Sequence, residues 1–424
     1  MKIITLTGNQ FREYAKTHKY RSYYQTVEYG KLMKIDGYDY HLLGFLNNSN
    51  ELIGASMILF KKIFFNYKIA YAPYGFLIDY SNNDIVEELT YRLRKLLLKQ
   101  KFIYLKINPR IECSKRDKDG NVKAYNPEIN NILQILQKNN YIHHGFNNYF
   151  EDTKPRWNAI LKLNASNETL YRNFDKQIRN KINKAERLGV EVKEANDKDD
   201  INVFFQFIKR KHDRSFKYYQ KLIKEFGDNA KIYMAILNTR KYLENSQAAY
   251  EAELKNNEAI NSKLQEASRT NTSIDKILGI KMQSDMDVER AHKHLIDATK
   301  FYSKYPDNIK IGGMLTIETP DEAYLIIEGF NKKYADYDSN YLLRWELIKK
   351  WNKEAKQYFN MNGIVGEFKG HNKYSGLNES KLGYNADAVE YIGEFDYIIN
   401  KTVYKFYKRK VEKQLKKNEK RLTK

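Results

Sequence analysis

The chain has 424 residues, with 74 Lys+Arg against 53 Asp+Glu, a formal net charge of +21 and 42% hydrophobic residues. That length and composition suit a folded chain of two or three domains and exclude global disorder. One cysteine, Cys113, excludes a disulfide framework and a thiolate metal cluster.

The eight histidines form no HExxH or other metal-ligand pattern. The cationic surplus points to an anionic partner: nucleic acid, membrane head groups or a phosphorylated substrate. Abundant Asn and Lys with only 6 Pro also fit the coding bias of an AT-rich genome. The N-terminal MKIITLTGNQF lacks the apolar run of a signal peptide, and no stretch reaches the ~20 apolar residues of a membrane helix. A cytoplasmic location is the expectation.

In chain order, Tyr40–Phe45 and Leu52–Phe60 read as two strands joined by the turn NNSNE, a hairpin. Lys68–Ala72 reads as a third strand. Asn82–Gln100 has helical periodicity, with Val86, Leu89, Leu93, Leu96 and Leu97 on one face. Phe102–Ile107 is another strand, ended by Asn108-Pro109. Residues 159–163 open a second unit of the same kind, followed by helical stretches near 167–187 and 199–210. A helix at Tyr218–Phe226 and a strand at Lys231–Leu237 come next.

From Thr239 to Tyr305 the pattern changes, with one Gly (Gly279), no Pro and dense Ala, Glu, Lys, Asn and Gln. Leu243, Tyr250, Leu254, Ile260, Leu264, Val288, Ala291, Leu295 and Ala298 recur at helical spacing, with Asn257 on the same seam. The segment RTNTS (269–273) can turn the chain. This spacing predicts two helices of about 30 residues in an antiparallel hairpin ~45 Å long. Strands resume at Ile311–Ile317 and Ala323–Ile327, so the hairpin is an insertion. A helix over Tyr341–Lys356 buries Leu342, Trp345, Leu347, Ile348 and Trp351. Residues 405–424 carry ten Lys/Arg and two Glu, a basic helical or frayed tail. Strands and helices mixed in this way predict an α/β or α+β fold with mixed sheets.

No Ser-His-Asp arrangement, P-loop, GxGxxG or other cofactor box is present. Three regions carry potential chemistry. Lys176, Arg179, Lys181, Lys184 and Arg187 crowd one helix, with Ile178, Ile182 and Ala185 facing inward; such spacing suits phosphate contacts, or equally a solvated charged face. In HDRSFKYY (212–219), Arg214 can clamp a phosphate or carboxylate and the tyrosines can stack or donate; otherwise Tyr218 or Tyr219 is core. Lys381, read on a loop near a strand, could stabilise an oxyanion, or be one more surface lysine.

The motifs, taken in order, resemble the Fem-type (FemABX/MurM) peptidoglycan bridge aminoacyltransferases. Gln25-Thr26 with Tyr29–Tyr38, Tyr74–Tyr80, Leu105–Pro109, Pro155-Arg156, Arg179–Val192, Gly363–Phe368, Lys381–Ala386 and Glu390–Phe395 are similar to the family's successive signatures. The resemblance implies two tandem GNAT-like acyltransferase units with an inserted antiparallel two-helix coiled-coil arm. Their expected bounds are 1–153 (with 396–424 nearby) for the first unit, 154–238 and 307–395 for the second, and 239–306 for the arm.

The implied activity is transfer of an amino acid from aminoacyl-tRNA to an amine of the stem peptide or growing bridge of a peptidoglycan precursor. The precursor is lipid II or a UDP-MurNAc-peptide. No cofactor or metal is implied. Peripheral contact with the inner membrane face is implied, and association with itself or with related transferases is left open. By the same resemblance Lys381 is catalytic. Arg214, Tyr218, Lys31, Lys34 and Asn108 bind substrate, and Lys176, Arg179 and Lys184 contact tRNA or phosphate. The chain departs from the pattern at Met33, at Asn108 (no carboxylate base) and at Ile327-Glu328. Two rivals stand beside this reading: an acyl-CoA-dependent N-acyltransferase, whose pyrophosphate loop is not found, and a non-enzymatic tRNA- or membrane-binding protein.

Overall fold

Largely apolar runs make central strands, because both faces of such a strand are covered. Leu52–Lys62 is the clearest case, with Gly54 to Leu59 all buried. The computed structural model describes residues 1–150, 153–195, 197–209, 214–270, 274–370 and 372–422. Its strands are β1 (Lys2–Thr5), β2 (Asp39–Leu46), β3 (Leu52–Lys62), β4 (Lys68–Tyr74), β5 (Phe102–Pro109), β6 (Glu112–Arg116), β7 (Val122–Tyr125), β8 (Tyr141–His143), β9 (Trp157–Lys162), β10 (Val190–Glu194), β11 (Ala230–Leu237), β12 (Ile309–Glu318), β13 (Glu322–Phe330), β14 (Tyr358–Ile364), β15 (Asp387–Tyr391) and β16 (Phe395–Ile398).

The chain divides into two compact units. The first comprises Met1–Lys162, Arg214–Ala230 and Tyr358–Lys424, and the second Leu163–Asp213 and Lys231–Gln357. Segments 154–162, 214–230 and 358–395, assigned by sequence to the second unit, group here with the first. Long-range strand pairing explains this: β9 pairs with β14 and β15, and β15 pairs with β6.

In the first unit one sheet has the order β1-β2-β3-β4-β5-β16-β8. Only β4 and β5 pair in parallel, as a strand-helix-strand crossover requires, with the helix Asn83–Lys99 between them. Asn82 caps that helix by accepting from the amides of Asp84 and Ile85, and Val86, Leu89, Leu93 and Leu97 are buried into the core. The other strands of this unit run β14-β9-β15-β6-β7, all antiparallel. The second unit has the order β10-β11-β12-β13. Its helix Ser339–Lys353 buries Leu342, Trp345, Leu347, Ile348 and Trp351, as the periodicity predicts. The mixed α/β class is as expected.

The insertion is two helices, Thr239–Arg269 and Asp275–Lys304. They pack in opposite directions: Tyr242 meets Phe301, Tyr250 stacks on His292 at 5.0 Å, and Asn257 donates to Asp285 at 2.8 Å and to Ser284 at 3.2 Å. Residues 271–273 of the expected RTNTS turn lie outside the described residues. The stretch read as helical near 167–187 is two helices, Asn167–Asn173 and Lys176–Arg187. Phe174 and Asp175 separate them in extended conformation.

Candidate functional site

The site is built in the first unit around a buried glutamine. Gln25 is fully buried; its Nε2 donates to the carbonyls of Met57 (3.1 Å) and Pro73 (2.7 Å), and its Oε1 accepts from the Met57 amide at 2.8 Å. Three bonds fix this segment against β3 and β4 and leave no room beside it. A Cβ on Gly75 would lie 2.7 Å from the Gln25 amide nitrogen. Thr26 then caps the helix Val27–Met33, its hydroxyl accepting from the Tyr29 amide at 3.1 Å.

Anchored this way, Tyr23, Tyr24 and Tyr29 form a wall of rings. Tyr24 lies 3.9 Å from Tyr23, and 5.0 Å from both Tyr29 and Tyr74, in edge-to-face contact with the last two. Burial pushes the ionisation of Tyr23, Tyr29 and Tyr74 well above the usual range. The ring of Phe226, from the helix Phe216–Phe226, closes on Tyr23 at 6.1 Å.

Lys154 points into this wall. Its Nζ donates to the Tyr29 hydroxyl at 3.1 Å and lies 4.0 Å from the Tyr24 ring centroid. Burial, and then the nearby Arg214 charge, lower its pKa to about 7, against the opposing pull of Asp36 and Glu394. The backbone that presents it is held by Glu394, which is almost fully buried. Glu394 accepts from the Thr153 amide at 2.9 Å and from Lys106 Nζ at 2.6 Å.

Arg214 pairs with Asp36 through Nη1, and its guanidinium sits 4.5 Å from the Tyr218 ring centroid. Arg214 is about half exposed, Tyr218 partly buried and Tyr219 buried, so Tyr219 is the core residue of the pair. Residues 212 and 213 of the HDRSFKYY segment lie outside the described residues.

The remaining expected residues are distributed as follows. Lys381 is not on a loop. It lies in the last turn of the helix Ser375–Leu382, 7% exposed, and donates to the Gly363 carbonyl at 2.7 Å. The side chain of Asn362, next to Gly363, hydrogen-bonds Tyr24, so Lys381 reaches the tyrosine wall through two residues. Asn108 is buried with its Oδ1 accepting from the Tyr71 hydroxyl (3.1 Å) and the Tyr74 amide (3.0 Å), a bracing role. Lys31 is exposed on Val27–Met33, the helix that packs against Phe216–Phe226. Lys34 pairs with Asp39 at 3.4 Å.

Lys176, Arg179 and Lys184 belong to the second unit. Lys176 is exposed. Arg179 donates to the carbonyls of Arg172 (2.7 Å) and Phe174, closing the end of the preceding helix, and Lys184 pairs with Asp338 at 3.0 Å. Sequence reasoning missed Lys154, Asp36 and the Tyr23-Tyr24 doublet. The only local signal was position: Lys154 directly precedes Pro155-Arg156, and the doublet directly precedes Gln25-Thr26.

A lysine of low pKa, an arginine-carboxylate pair and a set of buried hydroxyls on a mixed α/β frame make a cluster whose chemistry can hold an anionic, hydrogen-bonding group. The comparisons narrow that class. The FemAB family profile matches residues 6–412, and the chain belongs to that family. It is 24% identical over 416 residues to Aminoacyltransferase FemA of Staphylococcus epidermidis, covering 96% of this chain and 98% of the relative. The Aminoacyltransferase FemA of Staphylococcus aureus is 23% identical over 415 residues, covering 96% and 97%. The crystal structure of FemX aligns with a TM-score of 0.75 at 18% identity, over 96% of this chain and 99% of that one, which shows a shared fold.

Proposed function

We propose that the chain is an aminoacyltransferase that moves an aminoacyl group from aminoacyl-tRNA to an amine on the stem peptide or growing bridge of a peptidoglycan precursor. The observation that carries this reading is the Lys154–Arg214–Tyr218 cluster in a chain matched to the FemAB family along residues 6–412.

The donor ester is already activated, so the reaction needs no covalent enzyme intermediate. The acceptor nitrogen attacks the ester carbonyl, the C–N bond forms, and the C–O bond to the terminal ribose breaks. Holding donor and acceptor together accounts for much of the rate. Arg214, with Tyr218 beneath it, holds an anionic group of the precursor. Lys31, on the helix that packs against Phe216–Phe226, and Lys34, in the turn that carries Asp36, add positive charge for the same group. Lys381 offsets the negative charge that develops on the carbonyl oxygen. Lys154, close to half neutral at pH 7, accepts the proton released by the attacking nitrogen. The departing ribose oxygen takes that proton back from the Lys154 ammonium as the ester breaks, which restores the neutral amine. Asn108 braces the wall, and Lys176 is assigned to tRNA phosphates. The precursor is lipid-linked, and the protein works against the inner membrane face.

The test is direct. The purified chain is mixed with lipid II and with tRNA charged in turn with each radiolabelled amino acid. Label on lipid II from one charged tRNA supports the reading. Product formed only from an acyl-CoA, or tRNA binding with no product, overturns it.

A further inference from the structure

The hairpin between β3 and β4 ends in a five-residue tip, Ile63-Phe64-Phe65-Asn66-Tyr67. It is closed by the Tyr67 amide donating to the Phe64 carbonyl at 2.8 Å and the Ile63 amide donating to the Tyr67 carbonyl at 2.9 Å. Phe65 has φ +44°, a conformation suited to Gly or Asn, and its side chain is the most open of the large apolar residues among those described, at 86% exposed. This bulky ring in the left-handed region touches the Phe64 ring edge-on at 6.0 Å and otherwise faces solvent.

The helix Lys401–Leu422 lies beside this tip. Phe64 meets Phe406 at 5.7 Å and Tyr407 at 6.5 Å, and Phe406 is itself 58% exposed. Cations accompany the rings. Lys410 Nζ stands 5.3 Å from the Phe64 centroid, and Lys62, Lys405 and Arg409 are exposed. Neither residues 60–68 nor residues 401–411 include an acidic side chain.

We infer that the Phe64–Tyr67 tip and the start of the C-terminal helix form a docking surface for an anionic lipid bilayer. The exposed rings enter the head-group boundary and the lysines meet lipid phosphates. The surface deepens the membrane contact in the proposed function by naming where it lies. An aromatic tip with Lys410 against it and exposed cations on the adjoining strand and helix matches the layering of that boundary, apolar below and charged above. A nucleic-acid duplex would use the cations but would leave Phe65 in water, because its bases are stacked inside.

The experiment needs no transferase activity. The full chain is sedimented with vesicles of phosphatidylcholine alone, with vesicles that include phosphatidylglycerol, and with bulk tRNA as competitor. Phe65→Asn and Phe406→Ser are compared with the parent; Phe65→Asn also suits the local backbone, so folding is not at risk. Expected are binding to the anionic vesicles, about tenfold weakening in the double variant, and about fivefold weakening for Lys410→Ser. The inference is overturned by absence of vesicle binding, by equal vesicle affinity in the double variant, or by a double variant that loses tRNA binding instead. Because transfer activity plays no part, failure here is distinct from failure of the proposed reaction.

Discussion

Lys154 stands with its Nζ 3.1 Å from the hydroxyl of Tyr29, a cation held against a buried phenol whose own ionisation is pushed upward. Neither partner can relieve the other by ionising: the phenol keeps its proton, and the amine is the group that yields. In the proposed reaction the pair serves as the proton acceptor, with the Tyr29 hydroxyl holding the amine in place.

The first prediction follows from the sign of that shift. The amine's pKa falls to about 7 in the folded protein, far below the unfolded value, so the neutral form grows as pH rises through 7. The log of kcat should rise with pH up to about 7 and then level. Lys154→Met should lower kcat about a hundredfold or more and erase that inflection. Linkage gives a second readout. The unfolded chain binds the proton more tightly between the two pKa values, so this lysine destabilises most at and below pH 7. Lys154→Met should raise the melting temperature at pH 7, and the gain should shrink as pH approaches 10. An unchanged pH profile in the variant would remove the proton-acceptor role.

Lys381 offers a contrasting case. It is buried and donates to the Gly363 carbonyl, so its amine is held in place. Lys381→Ala should cut kcat by about a hundredfold or more, with a stability loss of only about 1–3 kcal/mol from the unpaired carbonyl. Single-turnover kinetics beside a urea melt separate the two effects. A folded variant with near-normal turnover would take Lys381 out of the site.

Asn108 tests bracing rather than chemistry. Removing its side chain strands the buried Tyr74 amide and takes one of the partners of the partly buried Tyr71 hydroxyl. Asn108→Ala should cost about 1–3 kcal/mol in chemical denaturation. Asn108→Asp keeps the acceptor oxygen and should recover part of that stability. Recovery of kcat beyond the stability gain would instead assign a carboxylate role at this position.

Gly189 sits at φ +76°, where a Cβ would lie 2.7 Å from the Tyr242 amide nitrogen and 2.9 Å from the Asn238 carbonyl oxygen. Both contacts are backbone, so neither can move aside as a side chain would. Gly189→Ala should destabilise the second unit by more than about 1 kcal/mol, visible as earlier loss of helical circular dichroism on heating. An unchanged melt would show that the strand-helix junction can shift.

Much of the frame was legible because local signals agreed with the final packing. β3 and the helix Asn83–Lys99 appear within two residues of their periodic patterns, and Leu342 to Trp351 are buried as spaced. Gly189 stops its helix where its sequence position suggests. What escaped was non-local. β16 joins β5 from nearly 300 residues away, and β15 joins β6, so no local window could place 358–398 in the first unit. The site shows the same split. Arg214 and Tyr218 are four residues apart in sequence and visible as a pair, whereas Asp36, Tyr24 and Lys154 meet only through tertiary folding. Lys381, expected on a loop near a strand, instead lies in the last turn of a short helix that ends at Gly383.

The long helical insertion leaves and re-enters its unit at one point, where the Thr239 hydroxyl donates to the Tyr305 carbonyl at 2.7 Å. Ends already clasped together make the excursion a removable module. Paired heptad-scale deletions from both helices would shorten its reach while the sheet that carries it keeps its stability, since closing a loop depends only weakly on its length. A graded series of such truncations turns reach into an adjustable variable, and the activity of each member reports how far the apparatus must extend.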